Sequence, residues 1–177
     1  MKLFILLVMF YPGRLMAQSS VYNLSIQGLD GKTIKLSDYK GKKILIASAS
    51  PDALKNDGLR FFDSLQSAYP QIVVIAIPAN DFGGTKNTEI IDEIKSDVSK
   101  HIIIASPADV KKNKGRDQNS ILKWLTSISD NTHFDDDVQT DIQSYVISES
   151  GILYAVLLKT ADPAAFKNIL TQEDMKQ

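Results

Sequence analysis

The chain has 177 residues, 44% of them hydrophobic and 23% charged, with a formal charge of −1. That is apolar material enough for one sizeable core, in a composition ordinary for a soluble globular protein. The balance of Lys/Arg against Asp/Glu offers no basic face for nucleic acid. The absence of cysteine excludes disulfides, thiolate metal centres and every cysteine-based mechanism.

In chain order, Lys2 precedes nine apolar residues, Leu3–Tyr11, and the small Ala17 stands before a polar stretch. A positive start, a short apolar core and a small residue describe a secretory signal peptide. Residues 1–17 are therefore read as the leader and 18–177 as a single domain. Nine residues are too few to span a bilayer, so no stable membrane span is expected after processing. The mature protein is expected to be exported, periplasmic or secreted.

Val21–Gln27 and Thr33–Tyr39 alternate apolar with polar and are joined through Asp30-Gly31, a hairpin turn signal. Ile44–Ala49 is a short, continuous apolar run of buried-strand type. From Asp57, read as a cap, Leu59, Phe62, Leu65 and Tyr69 recur at helical spacing. Ile72–Ile77 reads as the next buried strand, closed by Pro78, which cannot donate to a ladder. Glu89–Val98 carries Ile90, Ile91, Ile94 and Val98 on one helical face. His101–Pro107 is a short apolar segment that covers the core. Ser120–Ile128 predicts a helix with Ile121, Leu122, Leu125 and Ile128 on one side. Gln143–Ser148 and Ile152–Leu158 form an antiparallel pair across Glu149-Ser150-Gly151, and Pro163 opens a last helix with Phe166 and Leu170 inward.

Hairpin, strand, helix, strand, helix, helix, hairpin, helix fits an α/β, thioredoxin-like three-layer fold. Its central mixed β-sheet is flanked by helices and preceded by the N-terminal β-hairpin. The loop after the second buried strand, Pro78-Ala79-Asn80-Asp81-Phe82-Gly83-Gly84, has the look of site architecture, since open α/β sheets place sites beyond their strand ends.

Several stretches together resemble the glutathione peroxidase family. Leu29–Ser48 is similar to that family's opening hairpin and first core strand. The Asn80–Gly84 loop is similar to its Asn-Gln-Phe-Gly-Gly loop, Ser120–Leu125 to the helix before its last hairpin, and Asp141–Gly151 to the segment carrying a Trp-Asn pair. The likeness runs from about Val21 to Leu170, in order. It implies a peroxidatic cysteine or selenocysteine at the start of the first helix, where the helix N-terminus favours a thiolate. A Gln and the Trp-Asn pair would donate hydrogen bonds to it.

All four family positions are substituted here. Matched without gaps, the nucleophile falls on Ala53, the glutamine on Asp81, and the Trp-Asn pair on Thr140 and Asp141, whereas Asn80, Phe82, Gly83 and Gly84 are retained. The chain therefore resembles a member without the catalytic residue, a pseudoenzyme that acts as a binding or structural module toward an unknown protein or small molecule. The resemblance also implies the alternative: glutathione- or thioredoxin-dependent peroxide reduction in response to oxidative stress.

No cofactor is implied. Asp81 and Asp141, with Asp52 and Asp57 nearby in sequence, are weak candidates for a shared hard-cation site. His133 with Asp135, Asp136 and Asp137 reads first as a solvated acidic loop and only second as a metal site. His101 and Trp124 read as structural side chains, and Lys111–Arg116 as a basic connector.

Overall fold

The computed structural model describes residues 19–83, 87–96, 101–158 and 163–172. The proposed leader, Gly84 and Val98 lie outside them. The strands are β1 (Ser25–Gln27), β2 (Thr33–Lys35), β3 (Ile44–Ala49), β4 (Val73–Pro78), β5 (Ile103–Ile104), β6 (Ile142–Ile147) and β7 (Leu153–Leu158). The helices are α1 (Pro51–Ala53), α2 (Leu59–Ala68), α3 (Asn87–Ser96), α4 (Ser120–Leu125), α5 (Ile128–Asn131) and α6 (Pro163–Thr171). β1 and β2 form a separate hairpin, and the main sheet runs β5-β4-β3-β6-β7. β3, β4 and β5 are parallel, while β6 is antiparallel to both β3 and β7.

β3 is central because every one of its residues is buried. Pleating sends alternate side chains to opposite faces. Ile44 and Ile46 join Ile26, Ile34, Leu36, Ile121, Leu122 and Trp124 beneath the hairpin and α4. Leu45, Ala47 and Ala49 join Phe62, Leu65, Ile90, Ile94, Phe166 and Leu170 beneath α2, α3 and α6. Two cores on one sheet make the three layers. Among the described residues no helix is long and apolar enough to cross a membrane.

The structure corrects several boundaries. The helix expected from Asp57 begins six residues earlier, at Pro51, with Ser50 rather than Asp57 as its cap. A π turn over Leu54–Gly58 joins α1 to α2. Gly58 is required there, since a Cβ would lie 2.9 Å from the Ala53 carbonyl oxygen. The segment expected merely to cover the core supplies β5 instead. The helix expected over Ser120–Ile128 breaks after Leu125, and Ile128 opens α5 with 52% of its surface exposed. The hydrophobic period carried one turn too far, because Thr126 turns its hydroxyl back onto the Leu122 carbonyl and ends the helix.

One buried cation ties the last helix to the sheet. Lys43 is 3% exposed, and its ammonium donates to the Gln172 carbonyl at 2.5 Å and the Ile169 carbonyl at 3.4 Å. Cations suit the unsatisfied carbonyls of a helix C-terminus.

Tyr145, fully buried on β6, accepts from Gln143 Nε2 at 2.7 Å. Burial, then the nearby Asp137 carboxylate, pushes its phenol well above the ordinary tyrosine range, against that hydrogen bond. A pKa raised by folding contributes stability that is complete below the unfolded value of about 10 and is lost as pH rises beyond it. Thermal melts between pH 8 and 11.5 should therefore show a fall in Tm beginning near pH 10. Tyr145→Phe should flatten that fall while lowering Tm at pH 8 through the lost hydrogen bond.

Candidate functional site

The sheet gathers the family positions at one end. β3 and β4 finish there side by side, Ala49 opposite Pro78, and β6 begins there, Ile142 opposite Ala49. The helix start carrying Ala53, the loop carrying Asp81, and the approach to β6 carrying Thr140 and Asp141 are thereby neighbours. Each is occupied with structural work.

Ser50 controls the helix start. Its hydroxyl accepts from the Ala53 N–H at 3.1 Å, and its own N–H donates to the Asp141 carbonyl at 2.7 Å. Ala53 is half-buried against the α2-side core. A helix N-terminus holds an anion through its unpaired N–H groups. At Ala53 that N–H is already satisfied. Sequence reasoning missed Ser50, although Ser-Pro-Asp is a recognisable N-cap signature with proline at the first helical position.

Asp81 turns onto the neighbouring loop. Its side chain is 4% exposed, and Oδ2 accepts from the N–H of Val110 at 2.5 Å and of Lys111 at 3.2 Å. Oδ1 pairs with Lys114 at 3.4 Å. Asn80 donates its N–H to the Ala108 carbonyl and its side-chain amide to Asp109 Oδ1 at 3.1 Å. Phe82 packs against the hairpin-side core with the Lys111 ammonium 4.8 Å from its ring centre. Gly83 has φ 107°, a conformation that side chains rarely tolerate. Asp81 and the retained Asn80 and Phe82 together thus hold residues 108–114 against this loop.

Thr140 donates its hydroxyl to the Ile142 carbonyl at 2.6 Å, and Asp141 is exposed, contributing its backbone carbonyl to Ser50. The shared acidic pocket of Asp52, Asp57, Asp81 and Asp141 does not form. Among the described residues no three His, Cys, Asp or Glu side chains converge as a metal would require. The physical reason is that Asp81 finds two backbone donors and a lysine on the neighbouring loop.

The acidic and basic loops, read separately as solvated connectors, are joined. Lys112 donates its N–H to Asp137 Oδ1 at 2.9 Å, and its ammonium meets Asp135 at 3.1 Å. The hydrogen bond from the Ile128 N–H, then Lys112, holds the Asp135 carboxyl below the usual range. Trp124 is 2% exposed and donates to the Ser19 carbonyl at 2.7 Å, a packing role. His101 lies 2.9 Å from Asp63 of α2. Two buried hydroxyls, Ser48 and Ser144, lack a hydrogen-bond partner among the described residues. Ser48 sits one residue from the strand end, and among the described residues no base hydrogen-bonds to it.

No protein-family model matches the chain. The glutathione peroxidase homolog BsaA of Staphylococcus epidermidis is 21% identical over 155 residues, covering 86% of this chain and 98% of that protein. A probable phospholipid hydroperoxide glutathione peroxidase of Solanum lycopersicum is 26% identical over 151 residues, with coverages of 84% and 89%. Among solved structures, T. cruzi GPX1 matches with a TM-score of 0.64 and 18% identity over 86% of this chain and 94% of that one. The pneumococcal lipoprotein thioredoxin Etrx1 matches at 0.59 and 18%, with coverages of 83% and 96%. With its mixed five-stranded sheet and added hairpin, the chain has a thioredoxin-like fold, is similar in sequence to glutathione peroxidases along most of its length, and carries no cysteine.

Proposed function

We propose that this protein is exported and does not reduce peroxides by thiol chemistry, serving instead as a binding or structural module for a protein or small-molecule partner. The observation that carries this reading is the absence of cysteine from all 177 residues. Peroxide reduction of the family's kind needs a thiolate or selenolate to attack the O–O bond, take one oxygen and release the other as alcohol or water. A hydroxyl offers no comparable two-electron step, and Ser50 is 4% exposed with its oxygen engaged as a cap. The occupied N–H of Ala53 and the occupied carboxylate of Asp81 support the same reading. Export rests on Lys2, the run Leu3–Tyr11 and Ala17.

A second reading, peroxide reduction with glutathione or thioredoxin as reductant, is favoured by the curated relatives being named glutathione peroxidases. The two readings separate in one assay. Metal-free protein should consume hydrogen peroxide with either reductant no faster than the uncatalysed rate, and turnover above it establishes the second reading. Ala53→Cys should restore little activity, since the amide beside it stays capped and Asp81, Thr140 and Asp141 supply no activating donors.

Export predicts that mass spectrometry of the native protein finds an N-terminus close to Gln18. An intact Met1 on the native protein would refute it.

The structural use of Asp81 predicts that Asp81→Ala, which strands two buried N–H groups and Lys114, lowers unfolding free energy by about 3 kcal/mol. Asp81→Asn keeps an acceptor and should cost about 1 kcal/mol. Denaturant melts read both, and equal losses for the two variants would show that the acceptor is not what matters.

A further inference from the structure

The main sheet treats its two edges differently. At the β5 edge the hairpin closes the ladder: Leu29 N–H donates to the Ile104 carbonyl at 2.9 Å, Ser106 N–H to the Gln27 carbonyl at 2.8 Å, and Gly28 bridges Ala105. β5 is also only two residues long. At the opposite edge, β7 runs for six residues, Leu-Tyr-Ala-Val-Leu-Leu, with no charge, no proline and no glycine.

β7 pairs on one side only, with β6. In an antiparallel ladder every second residue turns its N–H and C=O away from the partner strand. No hydrogen bond joins any β7 backbone group to anything but β6 among the described residues. Two of the three large hydrophobic residues exposed on the described surface are here, Tyr154 at 37% and Leu158 at 48%. Natural edge strands carry lysines, prolines, bulges or covers to prevent pairing. The only irregularity on this pair lies at Val146/Ile147, near the start of β7, and leaves Ala155 to Leu158 in straight register with β6.

We propose that β7 is the interface of a homodimer, in which the strand pairs antiparallel with β7 of a second copy and makes one continuous sheet across a two-fold axis. A second copy fits for reasons carried by the strand itself. Antiparallel pairing about a two-fold axis requires the same surface on both partners, and an uncharged strand meets its own copy without like-charge repulsion. The partner must also present a bare, uncharged strand of matching length. Among the described strands β7 is the one that does, since β3, β4 and β6 are paired on both sides, β5 is covered, and β1 and β2 are only three residues long. The axis then falls near Ala155–Val156, the middle of the strand.

The absence of native cysteine makes the test clean. Light scattering coupled to size exclusion, at micromolar concentrations, should give twice the mass of the single chain. With the axis at one or other of these residues, one of the single substitutions Ala155→Cys and Val156→Cys places a thiol beside its own symmetry mate, within the about 7 Å that a disulfide can bridge. Mild oxidation should therefore cross-link at least one of them covalently. Leu158→Cys lies roughly 15 Å from its mate at a strand rise of about 3.3 Å per residue, and should stay uncross-linked. The exposed Ile128→Cys should also stay uncross-linked. The double change Tyr154→Glu and Leu158→Glu, at two exposed positions, puts like charges on the paired edges while leaving an acid beside Lys43, and should give a folded monomer, with circular dichroism checking the fold. A monomeric native protein overturns the proposal, as does a dimer that persists in the folded double variant or cross-links equally at 128 and 155. None of these results depends on whether the protein has peroxidase activity, so they leave the proposed function to its own test.

Discussion

The carboxylate of Asp81 is the joint on which the end of the sheet depends. It is almost wholly buried, and a buried carboxylate is tolerable only where donors surround it. Val110, Lys111 and Lys114 provide them, and through those three contacts the loop after β4 fixes the whole run from Ala108 to Lys114. That run in turn reaches the acidic loop through Lys112 and its two aspartates, Asp135 and Asp137. The family resemblance would put a hydrogen-bond donor at this position to serve a sulfur. An acceptor stands there instead and serves the backbone.

The neighbouring positions matched by the resemblance do structural work as well. Ser50 caps the helix whose start would otherwise be the anion-stabilising feature of the fold, and Asp141 contributes a carbonyl rather than a side chain. None of this disturbs the core, which lies lower in the sheet. β3 buries aliphatic residues on both faces, and the helices that cover it need only their apolar stripes. Fold and chemistry are separable here because the site occupies strand ends, while stability comes from strand middles. Asn80, Phe82 and Gly83 have a structural use of their own. They hold a loop in place, through an amide, a packed ring and a positive φ.

Much of the fold was legible in residue patterns. The continuous apolar runs at Ile44–Ala49 and Ile72–Ile77 could only be strands covered on both faces, and Phe166 and Leu170 face inward as their spacing required. What remained hidden depended on single polar groups. The start of α1 turned on one serine hydroxyl, and the break after Leu125 on one threonine, both weaker signals than hydrophobic period. β5 was hidden because two residues cannot show an alternation. The positions matched by the resemblance were assigned by counting along β3 and the loop. Their partners did not, because Asp81 meets residues about 30 positions away, and nothing local in the sequence says whether a carboxylate turns toward a cavity or toward a neighbouring backbone.

Amide hydrogen exchange tests this account most directly, because it reads the donors themselves. If this end of the sheet is a structural joint, the N–H groups of Ser50, Ala53, Val110 and Lys111 are held and exchange only through larger openings. The account predicts protection at these four amides approaching that of the β3 and β4 core. Exchange at the rate of an open loop, with the sheet still protected, would contradict it, since the donors would then be free to receive a ligand.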